Sequence, residues 1–87
     1  MIYVDELKFG KRKWCHMMTD GDIEELHHMA KQIGLKKSWF QDNPLHPHYD
    51  LTSNKRLIAI RFGAKDVTSK ELVIRCSKYN PHRDGTS

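Results

Sequence analysis

Punctuation constrains this chain more than any other feature. Asp22, Thr52 or Ser53, and Thr68 are helix-start residues, while Gly34, Gly63 and Asn80-Pro81 are stops. Hydroxyl and carboxylate side chains accept hydrogen bonds from the first free N–H groups of a helix. Glycine takes the left-handed turn that ends one. The intervals predict three short helices, over about residues 22–33, 53–62 and 69–79. In the first, Ile23, Leu26, Ala30 and Ile33 recur at spacings of 3, 4 and 3, an apolar face. His27 flanks that face and His28 points away; neighbours on a helix diverge too far to share one metal. The second helix is apolar nearly all round, through Leu57, Ile58, Ala59, Ile60 and Phe62, and is expected to be the most buried. The third opens on a capping box, Thr68-Ser69-Lys70-Glu71, and carries Leu72, Cys76 and Tyr79 on one face with Val73 alongside.

Between these helices lie short β-forming runs. Ile2-Tyr3-Val4 is one. The run from Trp14 to Met18 is a second, in which alternation puts Trp14, His16 and Met18 on one face and Cys15 and Met17 on the other. Trp39-Phe40-Gln41 reads as a third strand after the basic turn Lys36-Lys37, and residues 64–67 as a short strand or extended link. Trp39 and Phe40 suit the core by default, or a stacked base. The fold class is therefore α/β, or α+β: a small mixed sheet of about four short strands with three helices. If the third and fourth strands are parallel, the helix between them makes a right-handed crossover. One domain spans 1–80, and 81–87 form a flexible tail.

Residues 46–56 hold the densest chemistry: His46, His48, Tyr49, Asp50, Thr52, Ser53, Lys55 and Arg56. Pro44 and Pro47 keep the approach extended. The chain then enters a helix, whose first N–H groups and dipole favour anions. Thr52, Ser53, Lys55 and Arg56 can hold a phosphate there, flanked by His48 and Tyr49. Asp5 and His16 join them if their strand ends lie alongside. The ordinary alternatives are a capped helix with solvated cations, a polar residue where a strand ends, and a hydrogen-bonded core-edge histidine.

His46, His48 and Asp50 fall at alternate positions of an extended segment, so all three reach one side. A divalent metal there, completed by His16 or Asp5, is the second chemical reading. The pattern superficially resembles the HxHxD part of the metallo-β-lactamase motif. Leu51 replaces the next histidine, and the chain is far too short for that fold. Hydrolysis is the third reading: His48, oriented by Asp50 or Asp5, is a candidate acid or base, and Lys55 and Arg56 would stabilise phosphoryl charge. No GxSxG, P-loop or Cys–His pair supplies a nucleophile, since Cys15 and His16 face opposite ways.

Charge bounds the partners. Residues 1–52 carry seven Lys/Arg and eight Asp/Glu, whereas residues 53–87 carry eight and three. The excess of +4 thus belongs to the second part and points to an anionic partner, a phosphorylated small molecule or a nucleotide. Lys11, Arg12, Lys13, Lys36, Lys37, Arg56, Arg61 and Lys65 could also form a nucleic-acid footprint, or a basic surface for a host protein. No recognisable nucleic-acid module accompanies them. With 87 residues the core is small. A shallow cleft is expected, or one shared between two copies in a homodimer. Two distant cysteines form no disulfide framework. No apolar run approaches the ~20 residues of a membrane span, and no signal peptide opens the chain. These features predict a cytoplasmic protein without a membrane partner.

Several motifs agree in order and spacing with one family. They are Tyr3-Val4-Asp5, Trp14 and His16, Glu25-Leu26-His27, Trp39-Phe40-Gln41, His48-Tyr49-Asp50-Leu51-Thr52, Lys55-Arg56, Ala59-Ile60, Gly63-Ala64 and residues 68–72. Over about residues 2–75 the chain resembles domain-of-unknown-function family 4031, small bacterial and phage proteins. The resemblance implies a bacterial or phage intracellular protein, in the host cytoplasm if phage-encoded. It implies no activity, cofactor or site.

Overall fold

The computed structural model describes residues 1–7 and 13–76. The expectations placed on Lys11, Arg12, Tyr79 and the tail at 81–87 lie outside the described residues. Four strands, β1 (Ile2–Val4), β2 (Trp14–Thr19), β3 (Tyr49–Thr52) and β4 (Lys65–Asp66), form a mixed sheet in the order β3-β2-β1-β4. Three helices, α1 (Ile23–Gln32), α2 (Ser53–Arg61) and α3 (Ser69–Cys76), connect or cover them. β1 runs antiparallel to β2 and parallel to β4, and β2 runs antiparallel to β3. This is a small α/β domain. β3 and β4 lie at opposite edges, so the β3–α2–β4 connection passes over the whole sheet rather than joining neighbours.

Within the described residues the punctuation holds residue by residue, and the stop at Asn80-Pro81 lies outside them. The Asp22 carboxylate accepts from Glu24 N at 3.1 Å and opens α1. Thr52 Oγ1 accepts from Lys55 N at 3.3 Å and opens α2. Thr68 Oγ1 accepts from Glu71 N at 3.1 Å and opens α3. The reciprocal half of that last capping box does not form. Glu71 instead accepts from Arg75 Nε at 3.0 Å, one turn along the helix. Gly34 and Gly63 take φ of 87° and 107°, the left-handed conformation that only glycine adopts cheaply.

Alternation sorts the sheet into two faces. Cys15, Met17, Tyr49 and Leu51 point to the main core, against Leu26, Met29, Ala30 and Ile33 of α1 and its end, and Ala59 of α2. Tyr3 and Met18 form a second cluster with Val67 and with Leu72 and Cys76 of α3. Cys15 is inert there: burial first, then the negative charge of Asp5, pushes its thiol up to about 12.

Two expectations are overturned. Trp39-Phe40-Gln41 is not a strand. Residues Lys37–Trp39 make one 3₁₀ turn, closed by Trp39 N to Lys36 O and Phe40 N to Lys37 O. Only Gln41 pairs, through an isolated bridge to His48. Phe40 still packs inward, against His27 and Tyr49, but Trp39 is 49% exposed. Nor is α2 the most buried helix. Ala59 is its one buried residue, whereas Leu57 is 59% exposed and Phe62 just after it 53% exposed. The helix turns Lys55 and Arg56 toward the protein instead, because both find fixed acceptors there.

Candidate metal centre

Sheet register builds the site. Val4 lies opposite Met17, so the next rung places Asp5 opposite His16, and Asp5 N donates to His16 O at 3.2 Å. His16 in turn lies opposite Asp50 on β3. Asp5, His16 and Asp50 therefore form one row across three strands, on the face away from the main core. Directly opposed residues share a face and stand close. His48, two residues before Asp50, projects to the same side.

Each imidazole is pinned through Nδ1. His16 Nδ1 lies 3.1 Å from Asp5 Oδ2, and His48 Nδ1 lies 2.6 Å from the carbonyl oxygen of His46. Both partners are acceptors, so each Nδ1 is the donating atom, and the neutral ring would leave Nε2 as its ligating atom. The two Nε2 atoms converge on one carboxylate. His48 Nε2 is 3.4 Å and His16 Nε2 is 3.8 Å from Asp50 Oδ1. One ligand atom from each of the three residues lies within 4.8 Å of the others.

Asp5 is the hub behind this cluster. It is 1% exposed. Its carboxylate accepts from His16 N at 2.7 Å, from His16 Nδ1, and from Ser69 Oγ at 2.9 Å. Burial pushes its pKa up, but the bonds from the His16 side chain, the His16 backbone and Ser69 outweigh burial. The net result lies below the usual carboxylate value.

The model of the family described as "Protein of unknown function (DUF4031)" matches residues 2–79. The chain belongs to that family. No curated protein and no solved structure matches it.

In this DUF4031 protein the residues singled out in the sequence divide into three groups. Asp5, His16, His48 and Asp50 come together. His46 does not join the ligand cluster through its ring. It contributes its backbone carbonyl to His48, while its side chain lines a hollow of about 260 Å³ with His16, His48 and Ser69, and its Nδ1 is buried without a hydrogen-bond partner. The remaining five serve other ends. The Tyr49 hydroxyl reaches His27 Nδ1 at 2.8 Å on the opposite face of the sheet, where burial pushes the phenol up. Thr52 caps α2, and Ser53 is its exposed first residue.

Lys55 and Arg56 part company. Lys55 Nζ donates to Ile33 O at 2.7 Å, closing the end of α1. Arg56 Nε donates to Asp5 O at 2.8 Å, and its Nη2 pairs with Asp66. They do not aim at a common point, so no anion cradle forms between them. Arg56 ties α2 to β1 and β4. Asp66 is well exposed and adds little; the bond to the Asp5 carbonyl carries the stabilisation. Arg56→Met is expected to cost about 1.5–3 kcal/mol in urea unfolding, the range for a hydrogen bond from a charged group. A variant of full stability would contradict the tie.

Ser69 is the residue that sequence reasoning missed. Thr68-Ser69-Lys70-Glu71 reads as a helix cap, and nothing local shows that the Ser69 hydroxyl reaches back 64 positions to Asp5. Among the described residues, no helix is long and apolar enough to cross a membrane.

Proposed function

We propose that this protein is a divalent-metal-dependent hydrolase of phosphate esters, with His16, His48 and Asp50 as metal ligands. One observation carries the reading. Two imidazole Nε2 atoms and a carboxylate oxygen converge within 4.8 Å of one another, a donor set that suits a divalent ion. A shared proton fits poorly, because 3.4 and 3.8 Å are too long for hydrogen bonds of useful strength. A metal fits well. Tetrahedral ligands at ~2.1 Å from zinc lie about 3.4 Å apart.

Three ligands among the described residues favour chemistry over structure. Closed structural zinc sites use four protein ligands, whereas catalytic ones use three and leave a position to water or substrate. The side chains of His16 and Asp50 are 39% and 40% exposed, so solvent reaches the centre. Asp5 behind His16, and the His46 carbonyl behind His48, orient the rings as outer partners do in metal sites. A phosphoryl oxygen suits an open position on a divalent ion, and the net charge of +4 draws anions to the protein. In this reading the phosphate is held at the metal rather than between Lys55 and Arg56.

The step balances with water as co-reactant. A divalent ion held by His16, His48 and Asp50 would lower the pKa of a bound water and supply hydroxide near neutral pH, the proton going to solvent. The hydroxide oxygen would bond to phosphorus as the phosphorus–oxygen ester bond breaks, and the leaving oxygen would take a proton from water. The products would be an alcohol and phosphate, or a phosphate monoester from a diester. Chelator-stripped protein, given zinc or manganese, should release nitrophenol from p-nitrophenyl phosphate or its bis ester. Asp50→Ala should abolish that release. Metal binding without turnover of either ester would remove the hydrolytic step, and no metal binding would remove the whole reading.

A further inference from the structure

A second hollow, of about 450 Å³, adjoins the proposed centre. Its walls are Trp14, Leu35, Ser38, Trp39, Gln41, Asp50, Thr52 and Lys55. We propose that it takes the planar heteroaromatic base of a nucleoside phosphate whose phosphoryl group reaches the metal. This rests on the metal reading above and specifies its substrate.

Three features of the hollow argue for a base. First, both tryptophans of the chain stand in this one depression. Trp39 leaves half its surface in water although the core beneath it takes Phe40. Lys36 Nζ stands 5.7 Å from the centre of its ring, a cation–π contact that favours one placement of the indole. Indole faces stack on bases with little regard to sequence.

Second, the rim is polar in the way a base edge requires. The Ser38 hydroxyl, the Gln41 amide and the Thr52 hydroxyl offer donors and acceptors around an apolar floor that includes Leu35. Lys55 adds positive charge to the wall. The volume falls within the range of small-ligand sites, roughly 300–1,000 Å³, whereas the hollow beside Ser69 falls below it.

Third, Asp50 belongs to both places. It lines the hollow and is a ligand of the proposed centre. A molecule stacked on the indoles would therefore lie beside a residue that would hold the metal. A phosphate without a ring would use only the metal, and a ring without a phosphate only the hollow.

The two tryptophans make the test direct, because indole emission reports on the hollow itself. Zinc-loaded protein is titrated with the four ribonucleoside 5′-monophosphates, their nucleosides and ribose 5-phosphate, with emission excited at the red edge of indole absorption. Calorimetry on the same samples gives affinities for zinc and for each compound. At least one nucleotide should quench emission saturably and bind about tenfold or more tighter than ribose 5-phosphate, which should not quench. Removing zinc should weaken the nucleotide but not its nucleoside. Trp39→Leu should bring the nucleotide down to the level of ribose 5-phosphate while zinc affinity and Tm hold. Zinc bound with ribose 5-phosphate as tight as every nucleotide, or with Trp39→Leu without effect, would overturn this inference alone. Absence of zinc binding would overturn the metal reading, and this inference with it.

Discussion

His48→Ala lowers zinc affinity by at least about a hundredfold, while His46→Ala leaves it within a few-fold. The contrast follows from which atoms face the centre. His48 offers Nε2 to the site, and its loss leaves two ligands, too few to hold a divalent ion against water. Loss of an outer partner alone typically costs 10- to 100-fold, so loss of a ligand should exceed that. His46 acts through its backbone carbonyl, which alanine retains. His16→Ala and Asp50→Ala should resemble His48→Ala. The His48 and Asp50 side chains lie in neither core cluster, so apo Tm should fall little in those two variants, whereas His16→Ala also removes a donor from the buried Asp5 carboxylate and should be less stable. Competition against a colorimetric zinc chelator reads the affinities. Equal losses for His46→Ala and His48→Ala would mean that the ligand set is wrong.

Asp5→Ala has the largest expected effect on the fold. Its carboxylate is buried and accepts two donors from His16 and one from Ser69. Removing one partner of a buried charged network costs about 3–5 kcal/mol, because the others are left unpaired. A domain of this size has roughly 5–15 kcal/mol in total, so the alanine variant should unfold readily in urea. Asp5→Asn is the milder probe. An amide turned to keep its oxygen on His16 N presents NH₂ to His16 Nδ1. That reverses the proton on the ring and moves the lone pair away from the metal. Zinc affinity should fall 10- to 100-fold even where the fold survives. The same carboxylate sets an acid limit. Its native pKa lies below the unfolded value of about 3.9. Its stabilisation is therefore complete above that pH, and is lost as pH falls toward the native pKa. Full stability and zinc affinity in Asp5→Asn would remove Asp5 from the support of the site.

Local chemistry was legible and long-range pairing was not. The caps at Asp22, Thr52 and Thr68 and the stops at Gly34 and Gly63 follow from what one side chain does to its own helix end. Strand alternation likewise set His16 and Trp14 against Cys15 and Met17. The row Asp5–His16–Asp50 needed the register of three strands, and no local pattern states a register. So Asp5 and His16 could be named beside His48 and Asp50, but His46 was set with them as a ligand and its ring does not join the cluster. Lys55 and Arg56 show the opposite failure. A cation beside a helix start reads as an anion ligand, yet each reached a distant carbonyl and exposed Leu57 in its place. The 3₁₀ turn at Lys37–Trp39 failed for a third reason: aromatic content suggested a strand, and tertiary packing of Phe40 decided otherwise.

The most direct test of the metal centre is X-ray absorption at the zinc edge of the loaded protein. Two imidazole nitrogens and a carboxylate oxygen, with a further light atom from solvent, are expected, and the imidazole signal should disappear in His16→Ala, which no longer holds the ion. A hydrated ion without imidazole scattering, or a sulfur shell from Cys15 or Cys76, would contradict it.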